Sequence, residues 1–188
     1  MVATLDCSTL IGLRDRALLV VGFAGAFRRS ELVALDVADV DWTDDGLVVH
    51  IRRSKTDQEG QGASVGLPYG SYPNTCPVRT RRAWLAAAGI DDGPIFRSAT
   101  PHGRITDRRL PDEAVSHRLQ RAARTAGLAD SRLATHSLRA GLITSAAEAG
   151  VAERDIMRHS RHKSVQVLRG YIRDVGLFDA NAAAAVGL

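Results

Sequence analysis

Along residues 10–26 apolar side chains recur at Leu10, Leu13, Ala17, Val20 and Ala24, the spacing that lays one face of a helix against a core. The second half of that stretch is apolar all round, which predicts a buried helix. A short second helix is expected from about Arg29 to Leu35. The period then changes: Leu47, Val49 and Ile51 alternate with Val48, His50 and Arg52, the repeat of a strand with one buried face. Asp45 and Gly46 form a hairpin signal that pairs this strand with residues 40–42. After a polar, glycine-bearing loop at 54–62, a third strand is expected over 63–67.

Helical spacing returns over about 76–88, closed by Gly89. Residues 91–110 are rich in Gly, Pro and charge and are expected to form the longest loop. Pro111, Asp112 and Glu113 suit the first turn of a helix running to Gly127. Helices are predicted over about 135–149 and 153–159, separated by Gly150, and Ser164 is placed to cap a last short helix through Tyr171. The tail, 174–188, ends in an alanine-rich run, either a docking helix or a frayed end. No linker divides the chain. The expected fold is one mainly helical (α+β) domain over 1–188 with a small three-stranded antiparallel sheet.

Composition adds bounds. The chain has 188 residues, 45% hydrophobic and 24% charged, which excludes a disordered or collagen-like protein. Basic residues exceed acidic ones, 25 to 21, but nearly all are arginine; only Lys55 and Lys163 are lysines. With so much alanine this fits a GC-rich coding bias, so charge alone does not point to nucleic acid and arrangement must decide. Cys7 and Cys76 lack the close pairing of a zinc site or redox dithiol and are expected to be reduced. The longest apolar stretch, 17–27, is too short to span a bilayer, and no leader pattern opens the chain. The expectation is a soluble cytoplasmic protein.

Four places combine cations, imidazoles and a phenol. In Arg28-Arg29-Ser30-Glu31-Leu32, Arg28 and Glu31 fall on one helical face, where the carboxylate can hold the guanidinium. Lys55 follows the second strand, and an amine, unlike a guanidinium, can give up a proton. His136 and Arg139 again share a face. His162 and Tyr171, nine residues apart, lie on opposite sides of any continuous helix, so their convergence needs a break, which Ser164 supplies. Taken singly, each has an ordinary structural reading: a solvated ion pair, a loop lysine, a core histidine, a half-buried tyrosine.

Together, from about Leu10 to Ala180, they resemble the tyrosine recombinase (phage integrase) family, C-terminal catalytic domain. The family's Arg-x-Ser-Glu-Leu is matched by residues 28–32, its sheet lysine by Lys55, its His-x-x-Arg by His136 and Arg139, and its late His and Tyr by His162 and Tyr171, all in order. There are two departures. The glycine usual before the first motif is replaced by Ala26-Phe27, with Gly25 shifted, and the glycine usual before the late histidine is Arg161.

The resemblance implies cleavage and rejoining of double-stranded DNA through a 3′-phosphotyrosyl intermediate, with no metal, nucleotide or other cofactor. It assigns Tyr171 as nucleophile, Arg28 and Arg139 as clamps on the phosphate, His136 and His162 as hydrogen-bonding or proton-moving groups, Lys55 as general acid and Glu31 as structural orienter. Arg52, Arg53, Arg79, Arg81, Arg82 and Arg121 are candidate phosphate contacts. His159 and His162 do not suggest a metal pair, for want of a third ligand. The alternatives are a type IB topoisomerase-like activity, which relaxes DNA, and a catalytically inactive DNA-binding remnant. The resemblance further implies a core-binding domain ahead of the catalytic one, which this chain is expected to lack, self-association into a tetramer on DNA, and a tail that docks in cis or in trans.

Overall fold

A computed structural model of the chain describes residues 1–52, 62–128 and 137–172. Lys55, Arg53, His136, residues 54–61 of the loop expected at 54–62 and the tail from 174 therefore lie outside the described residues.

Helix α1, Leu10–Ala24, begins where the Thr9 side chain accepts a hydrogen bond from the Gly12 amide at 3.1 Å. Ala17, Leu18, Leu19, Val20 and Val21 are buried along it, so the apolar stretch forms the central helix. The helix stops two residues short of the expectation because Ala26 turns into the left-handed region, φ 46°. α2, Arg29–Ala34, follows at once.

Strands β1, Val40–Thr43, β2, Gly46–Ile51, and β3, Ala63–Pro68, make an antiparallel sheet in the order β1-β2-β3. The register pairs Val49 with Val40 on one side and with Val65 on the other. Leu47, Val49 and Ile51 are buried, as their alternation predicts, and Val65 and Leu67 join them in the main core. α3, Pro77–Ala88, starts on proline, is capped by the Cys76 thiol and ends on Gly89 at φ 62°. It packs along α1, with Trp84 fully buried and its indole N–H donating to the Ile95 carbonyl at 2.8 Å.

One expectation needs correction. Residues 91–110 are not a loop throughout: β4, Arg97–Ala99, and β5, Ile105–Arg109, form a second, two-stranded antiparallel hairpin. Neither strand has a fully buried face; polar side chains brace them instead, with Ser98 donating to the Arg109 carbonyl and Thr106 to that of Ser98. Hydrophobic alternation, the signal that reveals strands, is absent here.

α4, Asp112–Thr125, α5, Ser137–Glu148, α6, Glu153–Ser160, and α7, Val165–Ile172, complete the described chain. The approach of α5 and α2 to α1 passes over Gly22, where an added Cβ would lie 2.8 Å from Leu32 and 2.9 Å from Leu138. That close contact brings the start of α2 and the start of α5 to the same end of α1.

Candidate active site

The last carbonyls of α1 have no intrahelical donors of their own and carry the negative end of the helix dipole. Three side chains distant in sequence supply the donors. His159 Nε2–H donates to the Ala24 carbonyl at 2.7 Å. Arg161 Nη1 donates to Gly25 at 3.0 Å, and the Ala26 carbonyl accepts from both Arg139 Nη1 (2.9 Å) and Arg161 Nη2 (3.1 Å). The turn after α1 is thus a collecting point for cations from α5 and from the end of α6.

Glu31, in the first turn of α2, is the counter-charge. Its side chain is 2% exposed. It accepts from the Arg28 backbone amide at 2.9 Å, from Arg28 Nη1, and from Arg161 Nη2 at 3.0 Å. Burial pushes its pKa up, but the Arg28 amide, Arg161 and the Arg28 guanidinium outweigh this and hold it below the usual carboxylate range. Glu31 is therefore an ionised, hydrogen-bonded anchor.

Arg139 is 2% exposed. Burial, followed by the nearby charges of Arg28 and Arg161, lowers its pKa to about 10, which leaves it cationic at neutral pH. Its Nη2 lies 3.5 Å from His162 Nδ1. A closer neighbour of that nitrogen is Ser160 Oγ, at 2.8 Å. The Ser160 hydroxyl has one proton, and it is directed to the Ile156 carbonyl at 2.6 Å. Ser160 then accepts from His162 Nδ1–H, which leaves the Nε2 lone pair as the free face of the ring. Burial first, then Arg139, Arg28 and Arg161, push the His162 pKa down to about 4.

Helix α7 begins after Ser164, whose Oγ accepts from the Val167 amide at 3.4 Å, so the break required between His162 and Tyr171 is present. Leu168, fully buried, packs α7 on Ile143 and Ile156. That docking brings the Tyr171 ring to 5.5 Å from the His162 ring, centroid to centroid, with the planes at 51°. Arg28, Arg139, Arg161, His162 and Tyr171 line one open cleft of about 280 Å³. Among the described residues three guanidiniums and Lys163 line it, with the Glu31 carboxylate behind Arg28 and Arg161, so its net charge is positive and suits an anion. A larger depression, about 730 Å³, lies on the other side of Glu31, but Arg52 and Arg109 there are matched by Asp36 and Asp39. It offers no surplus positive charge.

The profile of the phage integrase family matches residues 2–175. The chain belongs to the phage integrase family. Among its relatives in that family, the integrase/recombinase xerD homolog of Selenomonas ruminantium is 41% identical over 94% of this chain and 52% of its own length. Recombinase cre of Escherichia phage P1 is 25% identical over 94% of this chain and 53% of its own. The chain thus spans about half the length of these relatives. The XerH site-specific recombinase, solved in a post-cleavage complex with palindromic difH substrate, superposes with a TM-score of 0.76 at 15% identity, covering 100% of this chain and 49% of its own. The XerA recombinase superposes at 0.70 with 18% identity, over 100% of this chain and 62% of its own. Both share the fold described above.

As a phage integrase family member, the chain brings together Arg28, Glu31, Arg139, His162 and Tyr171, five of the seven residues singled out in its sequence. Two corrections arise among the arginines. Arg81 is 2% exposed and stacks beneath the Trp42 ring at 5.3 Å, so it has no access to a phosphate. Arg161, counted in the sequence only as a departure from the family pattern, reaches into the site. The local signal for it was slight: α3 and α5 are followed by left-handed glycines, Gly89 and Gly150, whereas α6 ends on Arg161 at φ 58°.

Proposed function

We propose that the chain is the catalytic domain of a site-specific DNA recombinase, acting on double-stranded DNA. The observation that carries this reading is the cleft in which three guanidiniums, an imidazole and a phenol converge from the N-cap of α2, α5, the turn after α6 and α7. A phosphodiester passing to its transition state gains charge on the nonbridging oxygens, and Arg28 and Arg139 are placed to clamp them. The Tyr171 oxygen forms a bond to phosphorus as the bond from phosphorus to the 5′-oxygen breaks. The phenol proton leaves to the nearby base, for which the His162 Nε2 lone pair is the candidate, and the 5′-oxygen takes a proton from Lys55. His136 adds a hydrogen bond to the same phosphate, and Glu31 orients the cations. One phosphoester replaces another, so attack by a partner strand's 5′-hydroxyl reverses the step with no nucleotide, metal or other cofactor consumed.

In this reading the protein works on DNA in the bacterial or phage-infected cytoplasm, consistent with the lack, among the described residues, of a helix long and apolar enough to cross a membrane. Strand exchange in this reading uses four such domains on two duplexes, with the tail docking in cis or in trans. The test is covalent trapping on a nicked suicide duplex. Tyr171→Phe is expected to abolish the protein–DNA adduct while duplex binding, read by fluorescence anisotropy, persists. An adduct that survives this substitution removes Tyr171 from the role.

A further inference from the structure

Arg161 is held in a way that packing alone does not require. It occupies the left-handed region at φ 58°, which a side chain with a Cβ adopts only under strain. Its guanidinium lies over the Phe27 ring at 5.2 Å, and its Nε is buried with no hydrogen-bond partner. The strained backbone and the unpartnered Nε weigh against folding, and both sit at the candidate site. What they secure is a four-point attachment: Nη1 to the carbonyls of His159 and Gly25, Nη2 to the Ala26 carbonyl and to Glu31. The residue at the other end of this attachment, Ala26, is the only other described non-glycine residue with positive φ. One side chain therefore bridges two strained backbone positions lying 135 residues apart.

Glu31 has two functions to reconcile. It must stay ionised while buried, and it must hold the Arg28 guanidinium in one orientation. With Arg28 alone, Oε1 would hold the guanidinium and Oε2 only the backbone amide of that same residue, so both anchors of the carboxylate would move together with residue 28. Arg161 fixes Oε2 from the opposite side while Arg28 Nη1 takes Oε1, so the carboxylate plane is set by two cations and the Arg28 amide.

Resting on the recombinase reading, we propose that Arg161 is a positioning residue for strand cleavage, which orients Arg28 by fixing the Glu31 carboxylate. It does not touch the scissile phosphate in this role. It replaces backbone freedom at the end of α6 with a rigid tie to the α1–α2 turn.

The test is a double-mutant cycle on the full chain, joining Arg161→Gly and Glu31→Gln, with adduct formation on the suicide duplex as the rate. Glycine suits the left-handed position, so Arg161→Gly removes the side chain without adding strain. It is expected to slow cleavage by about tenfold or more, a larger factor than any loss of duplex affinity. The double variant is expected to be no slower than the slower single one, because both changes disable the same tie. Arg161→Lys, which keeps charge but loses the fork, should recover part of the rate. Additive losses, or a wild-type rate in Arg161→Gly, overturn the proposal. A second readout needs no DNA: carbon NMR of the Glu31 carboxylate should show its titration moved upward in Arg161→Gly, and an unmoved titration also overturns the proposal. Should the wild-type chain form no adduct, the recombinase reading fails, while the Glu31 titration still decides whether Arg161 fixes that carboxylate.

Discussion

His162 titrates against its surroundings: burial acts first, then the three guanidiniums of Arg139, Arg28 and Arg161, and its pKa falls from the ordinary 6.5 to about 4. The unfolded chain binds a proton on this ring through the interval between those two values, and the folded chain does not. Stability therefore rises with pH across about 4 to 6.5 and is lost as pH falls through that window. A ring-proton NMR titration should show His162 neutral at pH 5, and His162→Gln should flatten the fall of Tm over the same range. Protonation of His162 near its ordinary value would contradict this account. Much of the site was legible at this scale because its signals are local. Arg28 and Glu31 declare their pairing by spacing, and the nine residues from His162 to Tyr171 announce a break. Arg161 was not legible, because its partners Gly25, Ala26 and Glu31 lie 130 or more residues away and no spacing encodes them.

Among the elements, α3 carries an unusual burden. The Arg81 guanidinium is buried with none of its three nitrogens hydrogen-bonded, and burial alone lowers its pKa to about 10. Its one compensation is the face of Trp42. Arg81→Met keeps the length and an aromatic contact while removing a desolvated charge, so it should raise stability by about 1 kcal/mol or more. Thermal unfolding measures it; a lower Tm would mean that the cation–ring attraction outweighs desolvation. Elements with a buried face were the readable ones. β2 was evident because Leu47, Val49 and Ile51 must all meet the core, and α1 because Ala17 to Val21 must do the same. The β4–β5 hairpin was not, since Arg97 and Arg109 hold it through Asp107, Asp36 and backbone carbonyls instead of through a hydrophobic stripe.

For the molecule as a whole, the apolar residues fall into unequal groups. The main core joins α1, α2, the three-stranded sheet and α3, whereas α5, α6 and α7 share a small cluster of Ile143, Ile156 and Leu168. The segment bearing His162 and Tyr171 is thus held to the rest largely through α5 on α1 and through the polar ties of His159, Arg139 and Arg161. Hydrogen exchange should find the amides of α6 and α7 opening at lower free energy than those of α1, α3 and β2. Exchange of α6 and α7 only by global unfolding would show the two parts to be one cooperative unit. The Ala26 carbonyl adds a consequence in time. Its two guanidinium partners lie 113 and 135 residues further along the chain. At ribosomal speed that delay is on the order of ten seconds. Throughout it the nascent protein has no assembled cationic cluster, so a chain still being synthesised is incapable of the proposed chemistry on any DNA it meets.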